Sequence, residues 1–256
     1  MTAAAIEISG LRMRYGPKVA VDDLDLEIAS GSLVAVLGPN GAGKTTIVET
    51  VAGLRTPGAG TVRVHGLDPV ADRDALRAHV AVQPQEAALI PNLRVSEALE
   101  LWRALYPDGQ DAGELVGVLG LEDSLDSVID KLSGGQGRRL IIALTLMSDR
   151  PLMLLDEPAS GLDPLARVQL WDAVRARHAA GRTVVVTTHL IEEAEALAER
   201  VIVIDHGRVV ADGTAAELCA RTGTDRLGDA YIALVSSPTI PDVAPRSATT
   251  LTKDFT

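Results

Sequence analysis

Gly38-Pro39-Asn40-Gly41-Ala42-Gly43-Lys44-Thr45-Thr46 is the stretch that decides how this chain of 256 residues folds. Gly38, Gly43, Lys44 and Thr45 fit the spacing G-x-x-x-x-G-K-[ST], a loop that wraps the phosphates of a nucleoside triphosphate. Its flanks supply the context that such a loop needs. Leu33-Val34-Ala35-Val36-Leu37 is an apolar run of strand length, and Thr46-Ile47-Val48-Glu49-Thr50-Val51 opens a helix. Glycines let backbone N–H groups curl around phosphate oxygens, and the helix N-terminus adds its positive dipole end. In that arrangement Lys44 reaches the β- and γ-phosphates and the Thr45 hydroxyl ligates Mg2+.

Further along, Leu152-Met153-Leu154-Leu155 is an apolar strand that ends in Asp156-Glu157. In a phosphate-loop enzyme the first of two such acids joins the Mg2+ coordination sphere, and the second polarises the attacking water. Strands also end in acidic loop residues for no catalytic reason, so this reading leans on its neighbours. Leu132-Ser133-Gly134-Gly135-Gln136 precedes a helical stretch over 138–147, with Ser133 in N-cap position. A glycine-cleared helix N-terminus is a second anion-binding end, although a well-capped flexible loop reads the same way.

The remaining pattern alternates strand and helix. Short β-rich stretches at 5–9, 11–15 and 21–28, the last interrupted by Asp22, Asp23 and Asp25, join a strand at 61–64 in an antiparallel sheet. Residues 86 to about 150 turn helical, with apolar residues at helical spacing over 95–106 and 113–121. Runs at 151–155, 183–188 and 201–205 return as buried strands with helical segments between them, which implies a mostly parallel sheet with covered faces. The expected class is α/β: a P-loop NTPase core with a mostly parallel sheet, a flanking antiparallel β-subdomain and an inserted α-helical subdomain at about 86–150. One domain over 1–235 is followed by a Ser/Thr/Pro-rich tail, 236–256, expected to be disordered.

Composition excludes several functions. A net charge of −11 and no Lys/Arg block argue against nucleic acid as a partner. Cys219 is the single cysteine, so no internal disulfide forms and a reducing compartment fits. No apolar run approaches a membrane span, and the first residues lack a signal core. The expectation is a cytoplasmic protein whose membrane link, if any, comes through a partner.

Taken together, the chain resembles the ATP-binding subunits of ABC transporters over about residues 5–235. The pentapeptide Leu132-Ser133-Gly134-Gly135-Gln136 matches that family's signature. Gln85 within Val82-Gln83-Pro84-Gln85-Glu86, Asp156-Glu157, Ser160-Gly161-Leu162-Asp163 and His189 after Thr187-Thr188 follow in family order. The resemblance implies that Tyr15 stacks on adenine while 38–46 bind the ATP phosphates. It implies that Thr45, Gln85 and Asp156 hold Mg2+, and that Lys44, Glu157 and His189 carry hydrolysis, His189 contacting the γ-phosphate. Ser133, Gly134, Gly135, Gln136 and Asp163 are implied to close over ATP held by the opposite subunit, so the chain forms a homodimer or pairs with a related ATPase subunit. Gly137 departs from the larger or basic residue common in relatives, which suggests a looser signature helix. His65, His79, His178 and His206 match no motif and read as surface residues.

Ser160-Gly161-Leu162-Asp163-Pro164, Leu67-Asp68-Pro69 and the stretch 227–234 resemble the drug- and antibiotic-export type. The implied role is an ATPase peripheral to the inner face of the cell membrane, powering a multi-span permease that exports a drug-like or hydrophobic compound. The alternative is a soluble ABC ATPase in cofactor assembly or nucleic-acid-linked work. A permease groove is expected from residues 86–102, walled by Pro91-Asn92-Leu93 and Val95 with Trp102 as an anchor, the alternative being that Leu93, Val95 and Trp102 pack the helical subdomain.

Overall fold

The computed structural model describes residues 3–85 and 87–236. The strands are β1 (Ala4–Tyr15), β2 (Lys18–Ala29), β3 (Leu33–Leu37), β4 (Ala59–Val64), β5 (Val80–Gln83), β6 (Leu152–Asp156), β7 (Thr183–Thr188), β8 (Arg200–Asp205) and β9 (Arg208–Gly213). The helices are α1 (Lys44–Val51), α2 (Arg73–Leu76), α3 (Val95–Leu105), α4 (Ala112–Val118), α5 (Gly134–Met147), α6 (Pro164–Ala179), α7 (Ile191–Leu197), α8 (Ala215–Thr222) and α9 (Leu227–Ser236).

Two sheets form, as the α/β reading expects. The first has the order β2-β1-β4 and is antiparallel. Val21, Leu24, Leu26 and Ile28 turn inward along β2, while Asp23, Asp25 and Glu27 face water. The acidic residues therefore do not interrupt the strand. Met13 pairs with Val21 and Leu11 with Leu24, so Asp22 and Asp23 oppose a single residue and form a bulge. Asp23 takes a positive φ of 57°; at a second irregularity, where Ser9 and Gly10 oppose Asp25, the Asp25 carboxylate accepts the Gly10 N–H at 2.8 Å.

The second sheet has the order β5-β6-β7-β3-β8-β9, parallel from β5 to β8 and antiparallel at β9. Every residue of β3, β6 and β7 is buried, as helices on both faces demand. β5 and β9 add two strands that the sequence pattern hid. β5 is four residues running into Pro84, and β9 follows a tight turn at His206-Gly207. Between β5 and β6 lie α3, α4 and α5, whose apolar faces share a core with Met153, Leu155 and Trp171. The tail expected from 236 falls outside the described residues, except Ser236, which closes α9.

The topology places the chemistry. The phosphate loop leaves β3, Asp156 ends β6 and His189 follows β7, and these three strands are adjacent. Ligands of open α/β sheets bind beyond the carboxyl ends of parallel strands, and here three such ends converge.

Candidate active site

Close packing dictates the phosphate loop. A Cβ on Gly38 would lie 2.2 Å from the Ile204 carbonyl oxygen, and one on Gly43 would lie 2.4 Å from that of Ala20. Gly43 also adopts φ 106° immediately before α1, a conformation that L side chains avoid. Gly38 N–H donates to Thr188 O at 3.3 Å, which ties the loop to the end of β7.

Lys44 and Glu157 are buried opposite charges, 4% and 9% exposed, with Nζ 3.4 Å from Oε1. The ammonium also donates to the carbonyls of Gly38 at 2.8 Å and Pro39 at 3.1 Å. The other carboxylate oxygen of Glu157 stands 3.3 Å from Nδ1 of His189. One carboxylate thus bridges the lysine of the phosphate loop and the histidine after β7. Glu157 reaches both only by adopting φ 47°, a left-handed backbone that costs a non-glycine residue about 1–2 kcal/mol.

Thr187 supports this turn. Its hydroxyl accepts the Glu157 N–H at 3.0 Å and donates to Oδ1 of Asp156. Asp156 is fully buried, and that burial pushes its carboxyl above the usual range, against the Thr187 hydrogen bond. Its Oδ2 is buried without a hydrogen-bond partner. Nearby on the cleft, the Thr45 hydroxyl donates to Oε1 of Gln85 at 3.2 Å. A lone carboxylate oxygen, a hydroxyl and an amide oxygen form the all-oxygen set that Mg2+ takes up when phosphates complete its sphere, so these residues fit that ion.

Tyr15, Lys18, Ala20, Asn40, Gly41, Gly43, Thr46 and Gln85 line one cleft with Lys44, Thr45 and Glu157. Tyr15 is 40% exposed, with its hydroxyl 3.3 Å from that of Thr46 and the Arg55 guanidinium 5.1 Å from its ring centroid. An exposed aromatic ring at the mouth of a phosphate-binding cleft offers a face to a base. Pro39 and Ala42 are loop residues, and Ala42 O accepts the Gly207 N–H at 2.9 Å.

The pentapeptide does not line this cleft. Ser133 caps α5, its Oγ accepting Gln136 N–H at 3.2 Å while Gln136 Oε1 accepts Ser133 N–H at 2.9 Å. A Cβ on Gly134 would meet nothing within 4 Å, and one on Gly135 only the Gly161 carbonyl at 4.0 Å, so this helix end is open to an approaching surface. Asp163 is committed to the N-cap of α6, accepting Ala166 N–H at 2.9 Å, which holds its carboxyl below the usual range.

Several contributors had no motif to reveal them. Lys18 and Ala20 reach the cleft from β2, Thr187 reads in sequence as one more β-branched strand residue, and Glu193 accepts from Thr188 at 2.6 Å to brace the His189 turn. Of the histidines read as surface residues, only His206 is fully exposed; His65, His79 and His178 are half-buried. Of the residues expected to form a groove at 86–102, Trp102 lines an open cleft and Val95 does not. Val95 is completely buried and Leu93 packs on the helical core, whereas the open cleft between core and helices is lined by Leu54, Arg73, Leu76, Arg77, Trp102 and Tyr106. No helix among the described residues is long and apolar enough to cross a membrane.

The family model described as ABC transporter matches residues 21–160. A daunorubicin resistance ATP-binding protein of Streptomyces coeruleorubidus is 43% identical over 232 residues, covering 89% of this chain and 73% of that one. A Nod factor export ATP-binding protein of Paraburkholderia xenovorans is 40% identical over 228 residues, covering 86% and 74%. A solved dimeric ATP-binding cassette in a post-hydrolysis state, bound to ADP and Pi, superimposes with a TM-score of 0.72 at 27% identity, over 82% of this chain and 98% of its own.

Proposed function

This chain belongs to the ABC transporter family, as one of its ATP-binding, ATP-hydrolysing subunits, and we propose that it pairs around two ATP molecules to power a permease that exports a drug-like or hydrophobic compound. The observation that carries the reading is the Glu157 carboxylate held between Lys44 and His189 beside the phosphate loop. Lys44 binds the β- and γ-phosphates in exchange for the carbonyls of Gly38 and Pro39. Glu157 accepts a proton from the attacking water, and His189 donates to the γ-phosphate and keeps that water in line. Thr45, Gln85 and Asp156 hold Mg2+, which when bound neutralises charge on the phosphates.

Ser133, Gly134, Gly135, Gln136 and Asp163 serve the nucleotide of the opposite subunit, either a second copy or a related chain. Their openness and their absence from their own cleft support that reading. The domain takes in 1–235, with 86–150 as the helical part that carries the pentapeptide. The permease holds the protein on the cytoplasmic face of the membrane and docks in the cleft beside Leu54, Arg73 and Trp102. Export is supported by the two relatives named for daunorubicin resistance and Nod factor export.

Co-expression with a candidate multi-span permease, followed by ATP-dependent uptake of daunorubicin into inverted vesicles, tests this function. Uptake should require ATP and vanish with Glu157→Gln. A chain that never co-purifies with a membrane protein contradicts the transport role.

A further inference from the structure

Arg138 has no part in the site as described, yet it touches two residues of it and the proline that follows Glu157. It is half-buried on α5, two residues beyond Gln136. Its Nη1 donates to the carbonyl of Gln85 at 3.1 Å, its Nη2 to that of Glu157, and its Nε to that of Pro158 at 3.3 Å. A planar guanidinium with forked donors can hold three carbonyls of two separate segments in one plane, and an ammonium cannot. Burial lowers the Arg138 pKa, against the pull of the Glu157 and Asp156 carboxylates, and the side chain stays charged.

Glu157 is where such a hold matters. Its backbone is left-handed, and Thr187 secures its N–H side. Arg138 secures the carbonyl side. If the peptide after Glu157 turned, the carbonyl would leave Arg138, and the carboxylate would swing from Lys44 and His189. We infer that Arg138 is a positioning residue for hydrolysis, fixing the Glu157 turn and the Gln85 backbone in a single frame. The frame is anchored in the helix whose first turn faces the opposite subunit, so closure on the partner's nucleotide and alignment of the chain's own Glu157 move together. This inference rests on the reading of Glu157 as the residue that activates water.

The test uses the full-length chain. Arg138→Met keeps an unbranched stem and removes every donor, while Arg138→Lys keeps the charge on a compact ammonium without the planar fork. Both should bind ATP with Kd within about twofold of the unchanged chain and lose about ten- to a hundredfold in kcat, with KM little altered. Millimolar guanidinium should raise kcat in Arg138→Ala but not in Arg138→Ala combined with Glu157→Gln. A purely structural role would instead lower Tm and raise KM while leaving kcat in place, and would overturn the inference. So would kcat within about twofold of the unchanged chain in either Met or Lys variant. If Arg138→Met does not fold, Arg138→Lys decides by the same criterion. Normal turnover by Glu157→Gln would instead refute the underlying reading, whatever the Arg138 variants do.

Discussion

Glu157 and His189 meet at 3.3 Å, Oε2 to Nδ1, although they follow different strands, β6 and β7. The same carboxylate faces Lys44 across 3.4 Å. Nothing in the packing of a parallel sheet demands a left-handed, buried glutamate at a strand end. A residue kept in an unfavourable backbone conformation, with its carboxylate between a lysine and a histidine at a phosphate-binding loop, fits the proposed activation of water.

Lys44→Ala removes the cation that faces Glu157 and that the proposed function places on the phosphates. ATP affinity should fall about ten- to a hundredfold, and the uncompensated Glu157 charge should lower stability by up to about 3 kcal/mol. Fluorescent-nucleotide titration and thermal denaturation measure the two effects. Unchanged affinity would remove Lys44 from the site.

Thr187→Val is nearly isosteric and deletes one hydroxyl. Asp156 Oδ1 would lose its donor and the Glu157 N–H one of its acceptors, a stability loss of about 1–3 kcal/mol. Turnover should fall more than ATP binding, because the hydroxyl sets the Glu157 turn. Steady-state kinetics beside a binding titration would show the split; equal loss in both would make Thr187 a general stabiliser only.

Ser133→Arg should leave ATP binding to the single chain intact and block pairing, since Ser133 lies outside its own cleft. Mixed with Lys44→Ala chains, it can form one composite site from unchanged elements, and part of the activity should return. Loss of single-chain binding in Ser133→Arg would place the pentapeptide in the same chain's pocket.

Much of this site was legible because its motifs are contiguous. The phosphate loop needs glycine at particular positions, and the Ile204 and Ala20 carbonyls explain why. The acids after β6 and the histidine after β7 stand at strand ends, where an apolar run marks the boundary. What stayed hidden is held by tertiary packing. Thr187 looks like strand filler, and the Arg138 carbonyl contacts join two segments far apart in the sequence. The acidic residues of β2 look like breakers because a bulge does not show in a period-two pattern. The walls of a groove could not be picked out because apolar residues at helical spacing, such as the buried Val95, cannot be sorted by sequence into those facing a partner and those facing the core.

Acid should weaken the fold at Asp149. Arg182 donates to it from Nε at 3.0 Å and Nη2 at 2.6 Å, and this pair holds the carboxyl below its usual range. A depressed carboxyl contributes stability above its unfolded pKa of about 3.9 and loses it as pH falls through the lower folded value. Asp149→Asn should cost about 1–3 kcal/mol at neutral pH and flatten the decline below pH of about 4. Urea midpoints across that range give the comparison, and parallel profiles would exclude Asp149.

The most direct measurement is ATP hydrolysis and ATP binding on Glu157→Gln, which keeps the shape and removes the base. The account predicts turnover reduced at least about a hundredfold, ATP affinity retained, and a dimer that persists with ATP in analytical ultracentrifugation. Hydrolysis at the unchanged rate by this variant would contradict it.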